Sequence, residues 1–185
     1  MRRHVLKGGL LAMMVMISGV AGIPHASAQE EPSPFFINPG LNDAWWFGTK
    51  GQGFLFTVLP QTKAVFLAWF TFDTERPPQD VSAILGDPGH RWFTALGFYE
   101  ELTNSITLDI ELTEGMIFDS PVPEKTQTPG YGTMTLTFSD CSNATMSYEF
   151  PEQDLSGEYV LVRTAEDPEN VALCESLNAE LQPDG

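Results

Sequence analysis

Basic residues are scarce: nine Lys and Arg stand against 25 Asp and Glu in 185 residues. Three of the nine, Arg2, Arg3 and Lys7, fall in a stretch that reads as a cleaved leader, leaving six basic against 25 acidic residues and a net charge near −19. Binding to nucleic acid or to anionic lipid depends on Lys and Arg meeting phosphates, so neither is expected as a partner. Histidine is rarer still, and after the leader only His90 remains. One histidine and two cysteines cannot supply the usual ligands of a zinc site. There is no G-x-S-x-G elbow for a serine hydrolase. Gly48 to Gly53 is too short, and wrongly flanked, for a phosphate loop. Long repeats and low-complexity blocks are missing, and no later apolar run reaches the roughly 20 residues a membrane helix needs.

The leader is the first feature present. Arg2, Arg3 and Lys7 make a basic start, Gly8 to Ile23 an apolar core, and Ala26-Ser27-Ala28 a small-residue cleavage pattern before Gln29. That is the order of a secretory signal peptide over residues 1–28. No cysteine follows the cleavage site, so a lipid anchor is not expected, and the protein is predicted to reach the periplasm or the medium. The remainder suits a single domain with a real core. It divides into a Pro-rich arm (29–39), a β domain (40–178) and a short tail (179–185). In an oxidising compartment Cys141 and Cys174 most simply form a disulfide. The alternative is a catalytic thiol, for which His90 is the one available partner. The high acidity suits solubility outside the cell, or divalent cation binding if the carboxylates cluster.

All four tryptophans lie between Gly40 and Trp92. Ala44 to Phe47 reads as a short strand, Phe54 to Leu59 as the next, and Pro60-Gln61-Thr62-Lys63 as a hairpin turn into Ala64 to Phe72. In that third run Val65, Leu67, Trp69 and Thr71 share one face, and Phe66, Ala68, Phe70 and Phe72 the other. An antiparallel strand usually alternates apolar with polar. The second face is therefore expected to be covered by the arm, another sheet, a partner or a ligand. Asp73 to Gly89 is a long connection in which Val81 to Leu85 forms a turn or a short strand.

Beyond Arg91 the alternation is regular. Strands are expected at Arg91 to Tyr99, around Ile106 to Leu112, at Met116 to Phe118, around Met134 to Phe138, at Ala144 to Phe150 and at Gly157 to Arg163. Ser120 to Gly130 reads as a Pro-rich loop. Asp167-Pro168-Glu169 opens a short helix through Leu177, with Pro in the first turn and acids at its positive end. The sum is an all-β antiparallel meander of about seven to nine strands with one short C-terminal helix. A closed barrel, which leaves no exposed edge, is preferred over a two-sheet sandwich.

The segments Gly40-Leu41-Asn42-Asp43-Ala44-Trp45, Gly51-Gln52-Gly53-Phe54, Phe66-Leu67-Ala68-Trp69-Phe70-Thr71, Gly89-His90-Arg91-Trp92 and Phe138-Ser139-Asp140-Cys141 resemble those of a group of exported bacterial proteins with no established activity. The resemblance spans nearly the whole chain after the leader. It implies export and a compact β-rich domain, and brings no catalytic role. The G-x-G and tryptophan pattern is also similar to lipocalin-like and avidin-like barrels, a likeness at the level of fold.

Three constellations bear on function. Trp45, Trp46, Trp69 and Trp92, with His90 beside the last, are candidate ligand-binding residues, since indoles offer a flat apolar face and an N–H. Core filling is the plain alternative. Trp45 and Trp46 are adjacent and must point to opposite faces of a strand. Asp73, Glu75, Asp80 and Asp87 are candidate Ca²⁺ ligands by residue type, though without regular D-x-D-x-D-G spacing. Paired carboxylates near the aromatic stretch would suit glycoside hydrolysis. The reading that follows is an exported, non-enzymatic β domain that binds a saccharide, a small apolar molecule or a protein partner through its Trp-rich face. A structural or assembly module of the envelope is the alternative, a hydrolase the third, and no cofactor other than Ca²⁺ is expected.

Overall fold

Turn residues interrupt an apolar–polar alternation of period two, and the chain answers with a meander of antiparallel strands. The computed structural model describes residues 34–48, 51–72, 74, 91–164 and 167–182. The strands are β1 (Asp43–Trp46), β2 (Gly53–Leu59), β3 (Ala64–Phe70), β4 (Arg91–Phe98), β5 (Ser105–Glu114), β6 (Thr126–Phe138), β7 (Asn143–Phe150) and β8 (Leu155–Arg163), followed by the helix α1 (Pro168–Leu181). Each strand pairs with the next. β1 also pairs with β8, Trp45 opposite Arg163 and Trp46 opposite Val162, so the sheet closes into an eight-stranded barrel. No helix among the described residues is long and apolar enough to cross a membrane.

The inward positions carry the core. On β2 these are Phe54, Phe56 and Val58, on β3 Val65, Leu67 and Trp69, on β5 Ile106, Leu108, Ile110 and Leu112, and on β6 Met134, Leu136 and Phe138; none is more than 4% exposed. Eight strands enclose a space that side chains can fill or that can admit one small ligand. The outward positions divide into two walls. On β5 to β7 they hold Thr107, Asp109, Thr133, Thr145, Ser147 and Glu149, as solvent contact requires. On β2 to β4 they hold Leu55, Phe66, Phe70, Trp92, Leu96 and Phe98, all exposed. The second apolar face of β3 is therefore not covered by the N-terminal arm.

The arm serves one end of the barrel instead. Phe36 and Ile37 are 5% exposed, so the domain begins before Gly40. The Ile37 N–H donates to Thr103 O at 2.8 Å and the Phe36 N–H to Asn178 Oδ1 on α1 at 2.8 Å. A 3₁₀ turn at Pro39–Leu41 follows, capped by the Asn38 side chain, which accepts from the Gly40 N–H at 2.9 Å. Gly40 lies directly against α1: a Cβ there would sit 2.2 Å from the backbone nitrogen of Cys174. The helix starts as expected, with Asp167 accepting from the Glu169 N–H at 3.0 Å and Pro168 in the first turn. It runs on to Leu181 rather than stopping near Leu177. Fourteen residues make a marginal helix in isolation. Here the Cys141–Cys174 disulfide, at a sequence separation of 33, ties it to the β6–β7 turn. Closing a loop of that length stabilises the fold by about 3–4 kcal/mol on the chain-entropy estimate.

Two further details depart from the sequence pattern. β6 begins at Thr126, taking in the end of the expected Pro-rich loop, and Met116 to Phe118 forms no strand. The leader and the Val81 to Leu85 element lie outside the described residues.

A buried cation locks the arm, both ends of the sheet and the disulfide together. Arg163, at the end of β8, is 3% exposed. Its Nε donates to Cys141 O at 2.8 Å, one terminal nitrogen to Gly40 O at 2.8 Å and the other to Asp43 Oδ2 at 3.0 Å. The guanidinium carbon lies 5.2 Å from the centre of the Trp45 ring, whose own N–H donates to Leu41 O at 3.0 Å. The fork is thus met on three sides by oxygen and on its flat side by an indole, the geometry for which Arg and not Lys is suited. Replacing Arg163 by Met leaves the buried Asp43 carboxylate unpaired, and urea titration should show a loss of about 3–5 kcal/mol. Arg163→Lys should recover little of it, because the fork is lost.

Candidate functional site: the open end of the barrel

With one end plugged by the arm and α1, access to the interior is at the other. There the ends of β1, β3 and β7 and the starts of β2, β4 and β8 surround a cavity of about 620 Å³. Trp69, Phe93, Tyr131, Tyr148, Phe150 and Tyr159 provide its aromatic lining, and Phe72, Gln52, Thr71, Thr74, Arg91 and Gln153 stand around them.

Strand alternation decides which rings arrive. β3 sends Trp69 inward, β4 Phe93, β7 Tyr148 and Phe150, and β8 Tyr159. Tyr131 arrives by a different route. The β5–β6 pairing shifts between Ile110, opposite Gly132, and Leu112, opposite Thr128, so β6 carries extra residues there. Gly130, at φ +64, is in that stretch. A bulge re-aims the side chain beside it, and the Tyr131 ring packs 5.7 Å from Phe93 and 5.6 Å from Phe150. Gly132 makes the room: a Cβ there would sit 2.5 Å from Phe150 Cδ1.

Trp69 is the hub. Its ring centre lies 5.7 Å from Phe54, 5.7 Å from Phe93, 5.6 Å from Tyr148 and 5.9 Å from Phe150, mostly in tilted or edge-on contacts. Such pairs contribute about 0.5–1.5 kcal/mol each beyond the area they bury. The polar groups largely satisfy one another. Thr71 Oγ1 donates to Gln52 Oε1. The Tyr148 and Tyr159 rings stack at 5.5 Å, and their hydroxyls are 3.5 Å apart. No carboxylate lines the cavity among the described residues, although the chain has 25. Nor does any group of three or more His, Cys, Asp or Glu among them approach a metal site. Among the described residues the lining offers aromatic rings, amides and hydroxyls, with the guanidinium of Arg91 at the start of β4.

The four tryptophans do not converge. Trp45 is in the core at the plugged end, its N–H and its ring face both occupied. Trp46 and Trp92 point outward, 37% and 52% exposed. Trp69 alone lines the cavity, because adjacent positions on a strand face opposite ways and only inward positions near the open rim can reach it. His90, Asp73, Glu75, Asp80 and Asp87 lie outside the described residues. Tyr131, Tyr148, Phe150 and Tyr159 were not singled out in the sequence. Their signal was the inward alternation of Met146, Tyr148 and Phe150, but which end of the barrel they would reach depends on the closure.

The Tyr148 phenol is pushed up to about 12, first by burial, which disfavours the charged form, then by its hydrogen bond to Tyr159 and that ring's charge. A folded-state value above the ordinary value near 10 gives stability that is fully present below pH 10 and is lost as the pH rises through about 12. Thermal midpoints taken across that range should fall, and Tyr148→Phe should fall less steeply than the parent. Equal slopes would remove Tyr148 as the cause.

The chain matches no family model, no curated protein and no solved structure.

Proposed function

We propose that this protein is an exported, non-enzymatic binding domain that takes a small, largely apolar, ring-bearing molecule into the open end of its barrel. The observation that carries the reading is the asymmetry of the two ends: one sealed by the arm, α1 and the disulfide, the other opening on a 620 Å³ aromatic cavity. Binding sites for small molecules are concave and mostly apolar with few polar groups, and the mouths of β-barrels are among their usual places. A saccharide is less well served. Its hydroxyls need several free partners, whereas Gln52 is engaged by Thr71, and Tyr148 and Tyr159 face each other. The absence of a described lining carboxylate also disfavours glycoside hydrolysis. Export is supported by the leader, and the disulfide is compatible with it.

A thermal melt with a ligand panel tests the reading. At about 100 times its Kd a ligand adds roughly 2.7 kcal/mol, which for a domain of this size raises the midpoint by roughly 5–10 °C. Apolar ring compounds should produce the shift, saccharides and Ca²⁺ should not, and Tyr131→Ser should diminish it. A shift with saccharides or Ca²⁺ alone would contradict the proposal.

One observation favours an assembly role as a second reading. The outward positions of β2, β3 and β4, from Leu55 through Phe66, Phe70, Trp92 and Leu96 to Phe98, hold no charge. In so acidic a chain, that wall is where a second copy could dock with least like-charge repulsion. Sedimentation should then show dimer growing with concentration, and Phe66→Ser with Phe70→Ser should abolish it. A monomer at all concentrations removes this reading.

A further inference from the structure

Two indoles point into the barrel, and they differ in one respect. That of Trp45 donates to Leu41 O at 3.0 Å. That of Trp69 has no acceptor, and its nitrogen is the one buried side-chain nitrogen or oxygen among the described residues left without a partner. Native interiors seldom leave a donor unmet, because burial strips it of water and returns nothing. Trp69 is 4% exposed and lines the cavity at the open end. The rings packed on it offer edges and π faces, and the nearest hydroxyl among them, that of Tyr148, is turned to Tyr159.

We propose that Trp69 is the specificity-determining donor of the open-end site, and that the ligand is a planar apolar molecule bearing a neutral carbonyl-type acceptor that takes the Trp69 N–H. This rests on the reading of the open end as a ligand site. An indole N–H is a donor only, so its partner must be an acceptor. A carboxylate is a poor match for the buried indole nitrogen, because burial disfavours its charge. The same surroundings hold the Tyr148 phenol in its neutral form by burial. A flat molecule suits a lining made largely of aromatic faces and edges, on which it can stack. The Trp69 nitrogen is sealed from solvent, so the acceptor reaches it by displacing one of the lining rings packed on it, Phe93, Tyr148 or Phe150.

The test uses two probes of nearly equal size and shape, 2-acetylnaphthalene and 2-isopropylnaphthalene, which differ in one carbonyl. A site built to hydrogen-bond a group rejects the analogue that lacks it. Protein recovered from the exported fraction should bind the ketone at least tenfold more tightly than the hydrocarbon by calorimetry. Trp69→Phe should erase the preference by weakening the ketone alone. Should that variant fail to fold, the preference of the parent protein and the indole N–H resonance suffice. One of the four tryptophan N–H signals should move downfield with the ketone and not with the hydrocarbon. Equal binding of both probes with no such movement would overturn the role of Trp69 and leave the open-end site standing. Binding of neither would overturn both.

Discussion

Arg163 is a cation with almost no water around it, and the rest of the barrel is arranged to make that tolerable. A guanidinium taken out of solvent is costly unless its donors are met and its charge is paired. Gly40, Cys141 and Asp43 meet the donors, and the Trp45 ring covers the flat face. These partners come from one stretch, Gly40 to Trp45, and from the β6–β7 turn. Satisfying one side chain therefore ties both to the end of β8. It also places β1 against β8, which closes the sheet.

Closure at that end determines what the other end can be. The arm, α1 and the disulfide fill the space beneath Arg163, so among the described residues the interior is open at the other end. Near the rim the inward aromatic residues pack on one another. The result is an enclosure whose walls are rings, whose polar groups are mostly self-paired, and whose central indole retains an unmet donor. A plugged base and an aromatic mouth are two consequences of one chain topology.

Much of the architecture was legible in the sequence. The strict alternation at Ile106 to Leu112 and at Met134 to Phe138 marks strands with one face in the core. Both cysteines in a chain read as exported pointed to the bridge that forms. The candidate site was less legible. Tryptophan density drew attention to residues 45 to 92, yet strand alternation sends Trp46 and Trp92 outward, and closure puts Trp45 at the plugged end. Tyr131 enters by a bulge that no period-two pattern announces. Tyr148 and Tyr159 reach the mouth only because β8 pairs with β1, and β7 with β8, in the closed sheet. Arg163 looked like a strand terminus. Its role depends on Asp43 and Gly40, more than a hundred residues away, which a local pattern cannot show.

A barrel sealed at one end should take up a ligand only at the other. Amide hydrogen exchange with and without 2-acetylnaphthalene tests it most directly. New protection is predicted in the segments around Trp69, Phe93 and Tyr148 to Tyr159, with none gained around Gly40 to Trp45 or along α1, which should already be protected in the free protein. Protection gained at the arm and α1, or a free protein in which those segments exchange as fast as the mouth, would contradict it.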